Sequence, residues 1–247
     1  MHRRRWEKLS EESGKSRFVK AMNPELDRKI GELRIPFLCL IEGPNDSGKS
    51  VLAQQYVYGA LRCGCRTLFI TTESGVRGLL KSMEEISLSV KIYYLKGVLQ
   101  IYELHVKDLE WDELLSSRFL ELILNTIKLR EYFDLYVIDS LTYLVTHAKE
   151  EDILNFFTEA RNIIEEKDKS MIVTVHPYAF SEEMLVRMRS ISDVHFILQV
   201  KEIGDRIVKI LQVPKLKGAV KQTSITLSFD VDPAFGIKVL PFSRAKA

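Results

Sequence analysis

Residues 43–50 read Gly-Pro-Asn-Asp-Ser-Gly-Lys-Ser, and this octapeptide constrains the fold more than any other stretch of the 247-residue chain. It fits the pattern G-x-x-x-x-G-K-[ST], a phosphate-cradling P-loop, which needs a strand before it and a helix after it. Both flanks are present: the apolar run Phe37-Leu38-Cys39-Leu40-Ile41 precedes the loop, and a helix-compatible run from Ser50 to Leu61 follows. The glycines let the backbone curl without Cβ clashes, so successive N–H groups point inward at phosphate oxygens. The helix adds its positive N-terminal end. Gly43, Pro44, Asn45, Asp46, Ser47, Gly48, Lys49, Ser50 and Val51 are therefore the expected nucleotide-binding residues. Lys49 is expected to reach the β- and γ-phosphates, and Ser50 to place its hydroxyl on Mg²⁺.

The rest of the chain supplies what such a loop needs around it. Arg66 to Thr72 is a β-rich run ending in Glu73, and Gly75 to Ile86 has helical spacing. Residues 90–106, rich in Val, Ile, Tyr and Leu, read as strand with irregular connections. Trp111 to Arg130 reads as an amphipathic helix with Leu114, Leu115, Phe119, Leu122 and Ile123 on its apolar stripe. Leu135-Tyr136-Val137-Ile138 reads as a buried strand closing in Asp139-Ser140, and Met171 to Val175 as another ending in His176-Pro177. Helices are expected at Glu150–Glu166 and from Ser181 onward. After residue 193 the pattern changes. Phe196–Val200 and Ile207–Val213 flank Gly204-Asp205 as a hairpin, with further strands at Ile225–Val231 and Gly236–Leu240. The predicted fold is α/β: a mostly parallel twisted sheet with helices on both faces, then an antiparallel C-terminal extension. Residues 1–20 read as a charged tail, and 21–247 as one domain.

Composition narrows the partners. Thirty-six basic and 34 acidic residues leave a net charge of +2, which argues against nucleic acid as a partner. No apolar run reaches the roughly 18 residues that span a bilayer. Three cysteines, Cys39, Cys63 and Cys65, make no disulfide framework and fit a reducing, intracellular setting.

In open α/β sheets, ligands sit beyond the carboxyl ends of the strands. Asp139 closes one buried strand and is the expected Mg²⁺ partner of Ser50, acting through water. Glu73 closes another and can orient or deprotonate an attacking water; alternatively, it makes an N-cap contact for the next helix, which Thr72 or Ser74 could equally supply. Ser140 and His176 also lie at strand ends, within reach of a γ-phosphate.

These stretches resemble the KaiC-like branch of the RecA superfamily, and within it the accessory ATPases of the archaeal flagellum, or archaellum. The resemblance rests on Asn23-Pro24-Glu25-Leu26-Asp27-Arg28-Lys29-Ile30-Gly31, Leu40-Ile41-Glu42-Gly43, Gly48-Lys49-Ser50-Val51-Leu52, Thr71-Thr72-Glu73, Val137-Ile138-Asp139-Ser140-Leu141-Thr142, Phe229-Asp230-Val231-Asp232-Pro233 and Phe235-Gly236-Ile237-Lys238. It implies a RecA-like core that binds ATP with Mg²⁺, with Glu73 and Lys49 as the catalytic residues. It implies self-assembly into hexameric rings and docking on the motor ATPase FlaI beneath a membrane platform protein, in some lineages inside a scaffold ring of FlaX. The implied location is cytoplasmic, peripheral at the membrane through the motor complex. In such rings basic residues from a neighbour approach the γ-phosphate; the matching segment is Pro214-Lys215-Leu216-Lys217-Gly218, so Lys215 and Lys217 are candidates to act between subunits. Three departures imply slow or undetectable hydrolysis by the isolated protein. Asp46 stands inside the cradle, Glu73 is a single glutamate where KaiC has a pair, and Lys217 replaces an arginine and its planar fork.

A DNA-acting recombination or repair ATPase is the alternative reading. Lys201, Arg206, Lys209, Lys215, Lys217 and Lys221 cluster in the hairpin region and are the residues that would carry it.

Overall fold

The strand that leads into the P-loop, β3 (Phe37–Glu42), lies inside a nine-stranded sheet and is buried along its whole length. The computed structural model describes residues 18–104, 110–203, 206–217 and 225–240. Within them β1 (Phe18–Val19) and β2 (Leu33–Arg34) form a small antiparallel pair. The large sheet uses β3, β4 (Thr67–Thr71), β5 (Leu99–Glu103), β6 (Leu135–Asp139), β7 (Ser170–Val175), β8 (Val194–Ile203), β9 (Arg206–Leu216), β10 (Ile225–Asp232) and β11 (Gly236–Leu240). Their order is β11-β10-β9-β8-β3-β7-β6-β4-β5. The run from β8 to β5 is parallel, and β9, β10 and β11 extend it antiparallel. This is the expected fold class.

The helices are α1 (Pro24–Lys29), α2 (Lys49–Arg62), α3 (Val76–Glu85), α4 (Lys91–Leu95), α5 (Glu113–Leu129), α6 (Thr142–Val145), α7 (Glu150–Glu166) and α8 (Glu182–Ile191). Strand periodicity sends alternate side chains of β3 to opposite faces. Phe37, Cys39 and Ile41 join Leu52, Tyr56 and Val57 of α2 on one face; Leu38 and Leu40 join Phe156, Ile164 and Met188 on the other. Strands buried on both faces read as continuous apolar runs, which is why the central strands were legible. Each fully buried large apolar side chain contributes about 1.5–3 kcal/mol.

Two distant stretches that carry the family resemblance meet in space. Asn23 caps α1, its Oδ1 accepting from Glu25 N and Leu26 N, while its Nδ2 donates to Ile237 O at 2.6 Å. The amino-terminal segment is thereby fastened to β11.

Several details differ from expectation. Part of residues 90–106 is helix rather than strand: α4 occupies Lys91–Leu95, and Gly97 ends the turn at φ +69°. β-Branched and aromatic content favours strand only weakly, and local i→i+3 and i→i+4 bonds back to Val90 prevail here. Residues 105–109 lie outside the described residues. On α5 the core face is Ser116, Leu120, Ile123 and Ile127, whereas Leu114 and Leu122 are 58% and 55% exposed. Apolar residues spread over more than one face of that helix allow two stripes, and packing against α7 selects the one that begins at the small Ser116. None of Thr72, Glu73 and Ser74 caps α3; Glu103 Oε2 at the end of β5 accepts from Val76 N at 2.9 Å instead. Of the expected 1–20 tail, Phe18–Val19 is strand and residues 1–17 lie outside the described residues. The hairpin strands β8 and β9 are longer than expected and include Pro214–Leu216. Their register shifts between His195 and Ile197, so Val213 and Pro214 together face Phe196, a bulge that accommodates a residue without an N–H. No described helix is long and apolar enough to cross a membrane.

Candidate functional site

The P-loop leaves β3 with very little room. A Cβ on Gly43 would lie 2.7 Å from both Leu198 O and Ser47 Oγ, so only glycine lets β8 pass this close. The loop then bonds to itself. Pro44 O accepts from Ser47 Oγ at 2.8 Å and from Lys49 Nζ at 2.7 Å. Gly48 closes it at φ +96° as the N-cap of α2, with no side chain capping the helix. Uncapped N–H groups at a helix start favour an anion. Asp46, the residue that does not suit a phosphate cradle, adopts φ +57°, a left-handed conformation that Asp tolerates, and is exposed. Its carboxylate therefore sits at the solvent rim.

The catalytic and metal candidates converge from the carboxyl ends of β4, β6 and β7, as a parallel sheet requires. Ser50 Oγ donates to Asp139 Oδ1 at 3.1 Å, and Thr174 Oγ1 donates to the same oxygen at 2.6 Å. Burial pushes the Asp139 carboxyl up to about 6; Glu73 adds to this, while the bonds from Thr174 and Ser50 and the charge of Lys49 oppose it. Thr72 Oγ1 donates to Ser140 O at 3.0 Å and Ser140 N donates back at 3.1 Å, tying the end of β4 to the end of β6. Ser140 Oγ donates to Glu73 Oε1 at 3.1 Å, which holds the exposed glutamate at the sheet edge. His176 N donates to Thr142 Oγ1 at 2.8 Å, and burial, then the Lys49 charge, lower the pKa of its ring.

Lys49 is nearly buried, and burial lowers its pKa against the opposing charges of Glu73, Asp139 and Asp46. An ammonium placed so is desolvated in advance for a phosphate. The resulting crevice, of about 500 Å³, is lined by Asn45, Asp46, Gly48, Lys49, Ser50, Val51, Glu73, His176 and Lys209. Its size suits a nucleotide, since ligand pockets run from roughly 300 to 1,000 Å³. Among the described residues no cluster of three or more His, Cys, Asp and Glu could cage a metal. One hydroxyl and one carboxylate suit Mg²⁺, which takes few protein ligands and completes its shell with phosphate and water.

Lys209, which the sequence offers only as part of a DNA-binding cluster, is the crevice residue that sequence reasoning missed. It stands in β9 opposite Phe229 of β10, far from any motif, and only the sheet order brings it to the loop. Lys215 and Lys217 do not line this crevice. Lys215 Nζ donates to Ser190 O at 2.8 Å and Arg189 O at 3.2 Å at the end of α8, and burial lowers its pKa. Lys217 Nζ lies 3.2 Å from Asp193 Oδ1. Gly218 and Lys221 lie outside the described residues, as does the side chain of Arg206.

A central P-loop strand, acidic residues on the neighbouring strand ends and an antiparallel extension define a P-loop protein with a RecA-like core. The KaiC ATPase family matches residues 19–244. The archaeal flagellar ATP-binding protein FlaH of Sulfolobus acidocaldarius is 39% identical over 225 residues, which is 91% of this chain and 97% of that protein. The FlaH of Methanocaldococcus jannaschii is 27% identical over 221 residues, 87% of this chain and 91% of that protein. The chain belongs to the FlaH family of KaiC-like proteins in the RecA superfamily. Its fold is similar to the crystal structure of the M. jannaschii flagellar accessory protein FlaH, with a TM-score of 0.77 at 23% identity, covering 91% of this chain and 99% of that one. A KaiC-like protein from Pyrococcus horikoshii OT3 gives a TM-score of 0.72 at 23% identity over the same shares of the two chains.

Proposed function

We propose that this chain is an ATP-binding component of an archaellum motor, and that nucleotide binding, more than turnover, is its working step. Relatives named as archaeal flagellar ATP-binding proteins support the reading. The observation that carries it is the convergence of Lys49, the Ser50–Asp139 pair, Glu73, His176 and Lys209 on one crevice beside the uncapped start of α2.

Loop N–H groups, Lys49 and Lys209 would hold the phosphates, and Ser50 and Asp139 would hold Mg²⁺, which would supply positive charge against the phosphate oxygens. Glu73 orients a water under the restraint of Ser140 Oγ. As a lone carboxylate tied to a hydroxyl it makes a weak base, so hydrolysis is slow. In the same reading residues 21–247 act as one domain behind a tail of residues 1–20. They assemble with other copies into a ring, most simply a hexamer, in a nucleotide-dependent way. The ring docks on the motor ATPase FlaI beneath a membrane platform protein, within a FlaX scaffold where one exists, at the cytoplasmic face of the membrane.

The DNA-acting alternative draws less support, because three of its six basic residues are engaged elsewhere. Lys209 faces the crevice, Lys215 holds helix carbonyls and Lys217 pairs with Asp193.

Sedimentation velocity with and without Mg·ATP, on wild type and Lys49→Ala, tests the proposal. Assembly should follow nucleotide in the wild type and fail to respond in the variant. Sedimentation indifferent to both changes sinks the gating part of the reading.

A further inference from the structure

Glu42, the last residue of β3 and the one before the first P-loop glycine, is a charged residue in a strand that is otherwise apolar, and it is 1% exposed. Its carboxylate is fully engaged. Oε1 accepts from Arg189 Nη2 at 2.8 Å and lies 3.1 Å from His195 Nε2; Oε2 accepts from Arg189 Nε at 3.2 Å. Arg189 belongs to the last turn of α8, and Glu182, on the first turn of that helix, lies 3.7 Å from its Nη1. His195, on β8, pairs with Leu40 of β3 on one side and with Lys215 of β9 on the other. The carbonyls of Arg189 and Ser190 are the two that hold Lys215 Nζ. A continuous polar chain therefore runs from the P-loop, through Glu42 and Arg189, to Lys215 on the outer hairpin strand.

Such a chain is not a natural way to stabilise a core. Well-packed apolar side chains of the same volume serve a core equally well or better. A two-pronged guanidinium–carboxylate pair instead fixes relative orientation, because both bonds are lost when either partner tilts. The P-loop end of the chain is poised to move. Pro44 O, two residues beyond Glu42, accepts from Lys49 Nζ and so competes with a phosphate for the ammonium. A ligand that draws Lys49 away changes the bonding of Pro44, and Gly43 connects Pro44 directly to Glu42.

We propose that Glu42 and Arg189 are positioning residues that couple nucleotide binding at the P-loop to the α8 end and to Lys215, so that the edge carrying Lys215 and Lys217 reports on the state of the crevice. This rests on the ATP-binding reading above and names the regulation of that site. Coupling of this kind is a free-energy difference between sites and is shown only by perturbing one and reading the other.

Hydrogen exchange read by mass spectrometry, on the full chain with and without saturating Mg·ATP, tests it. In the wild type ATP should slow exchange at least tenfold in P-loop peptides and also in peptides covering 189–195 and 213–217. Arg189→Lys keeps the charge and loses the fork. It should bind ATP within about threefold of wild type while the remote slowing disappears. Glu42→Gln, nearly isosteric, serves as a second variant should Arg189→Lys fold poorly, and should likewise uncouple the two regions. Protection of the P-loop without any remote change in the wild type overturns the coupling and leaves ATP binding intact. Remote slowing that survives in the folded variants overturns it as well. Absence of P-loop protection in the wild type refutes the ATP-binding reading, and the coupling with it.

Discussion

Ser50 Oγ donates to Asp139 Oδ1 at 3.1 Å, joining the first turn of the P-loop helix to the end of a strand 89 residues further along the chain. The bond puts a hydroxyl and a carboxylate, the oxygen donors that Mg²⁺ takes, side by side at the edge of the crevice. The main effect of Asp139→Asn should therefore be on the contribution of Mg²⁺. Titration calorimetry with ATP should show a Mg²⁺-dependent gain in affinity for the wild type that falls at least tenfold in Asp139→Asn, while affinity measured in EDTA changes little. Equal losses with and without Mg²⁺ would mean that Asp139 supports the loop rather than the ion.

Lys49 should matter through charge rather than packing. Its ammonium bonds to Pro44 O and faces the crevice. A charge-assisted hydrogen bond contributes about 1.5–3 kcal/mol, so Lys49→Ala should weaken ATP about 10- to 150-fold. Thermal unfolding without nucleotide should change little, whereas the upward shift produced by a fixed concentration of Mg·ATP should shrink. A variant retaining the full shift would place the phosphates elsewhere.

The parts of the site that could be read from the sequence are those set by local geometry. Gly43 to Ser50 announce themselves by spacing, and Glu73, Asp139 and His176 could be placed because parallel strands end on one edge. Lys209 was illegible for the opposite reason. The β8–β9 hairpin that carries it was legible from the local pattern, but its approach to the P-loop depends on β8 joining β3, a long-range parallel pairing that no local pattern encodes. The α5 stripe was misread because Leu114 and Leu122 satisfy helical periodicity as well as Leu120 and Ile127 do. Glu42 looked like part of a family motif, and only its contacts with Arg189 and His195 give it a physical role.

Turnover should be slow and should depend on Glu73. Ser140 Oγ holds the carboxylate at the sheet edge, and its sequence neighbours are Thr72 and Ser74 rather than a second glutamate. Phosphate release by the isolated protein should fall well below the ~1–100 s⁻¹ typical of kinases. Whatever activity exists should be abolished by Glu73→Gln with ATP affinity preserved. Hydrolysis persisting in that variant removes Glu73 from the mechanism.

The Glu42 pair gives stability a defined pH dependence. Burial raises the pKa of this carboxyl, but the hydrogen bonds and charges of His195 and Arg189 outweigh burial and hold it below its ordinary 4.5. A carboxyl whose folded pKa is depressed contributes stability that is present above the unfolded value and lost as pH falls through the folded one. Glu42→Gln should therefore be less stable than wild type at pH 7, by at most roughly 3–5 kcal/mol, the cost of breaking a buried pair. The gap should hold down to about pH 4.5 and close below it. Urea unfolding of both proteins between pH 3.5 and 7, at about unit steps, checks this; a gap that widens on acidification contradicts the assignment.

Lys209 and Lys215 should separate contributions within one chain from contributions between chains. Lys209 lines the crevice of its own chain, whereas Lys215 is held by Arg189 O and Ser190 O, and Lys217 by Asp193, away from that crevice. A lysine near the phosphates of its own chain acts at any protein concentration. One that serves a neighbour acts only after assembly, because mass action governs the contact. Lys209→Ala should therefore weaken binding of a fluorescent ATP analogue about tenfold at nanomolar protein, where copies are apart. Lys215→Ala and Lys217→Ala should match wild type in that regime and fall behind it only as concentration rises and copies associate. A loss of affinity in Lys215→Ala that is independent of protein concentration would mean that its hold on the α8 carbonyls shapes the crevice from within the same chain.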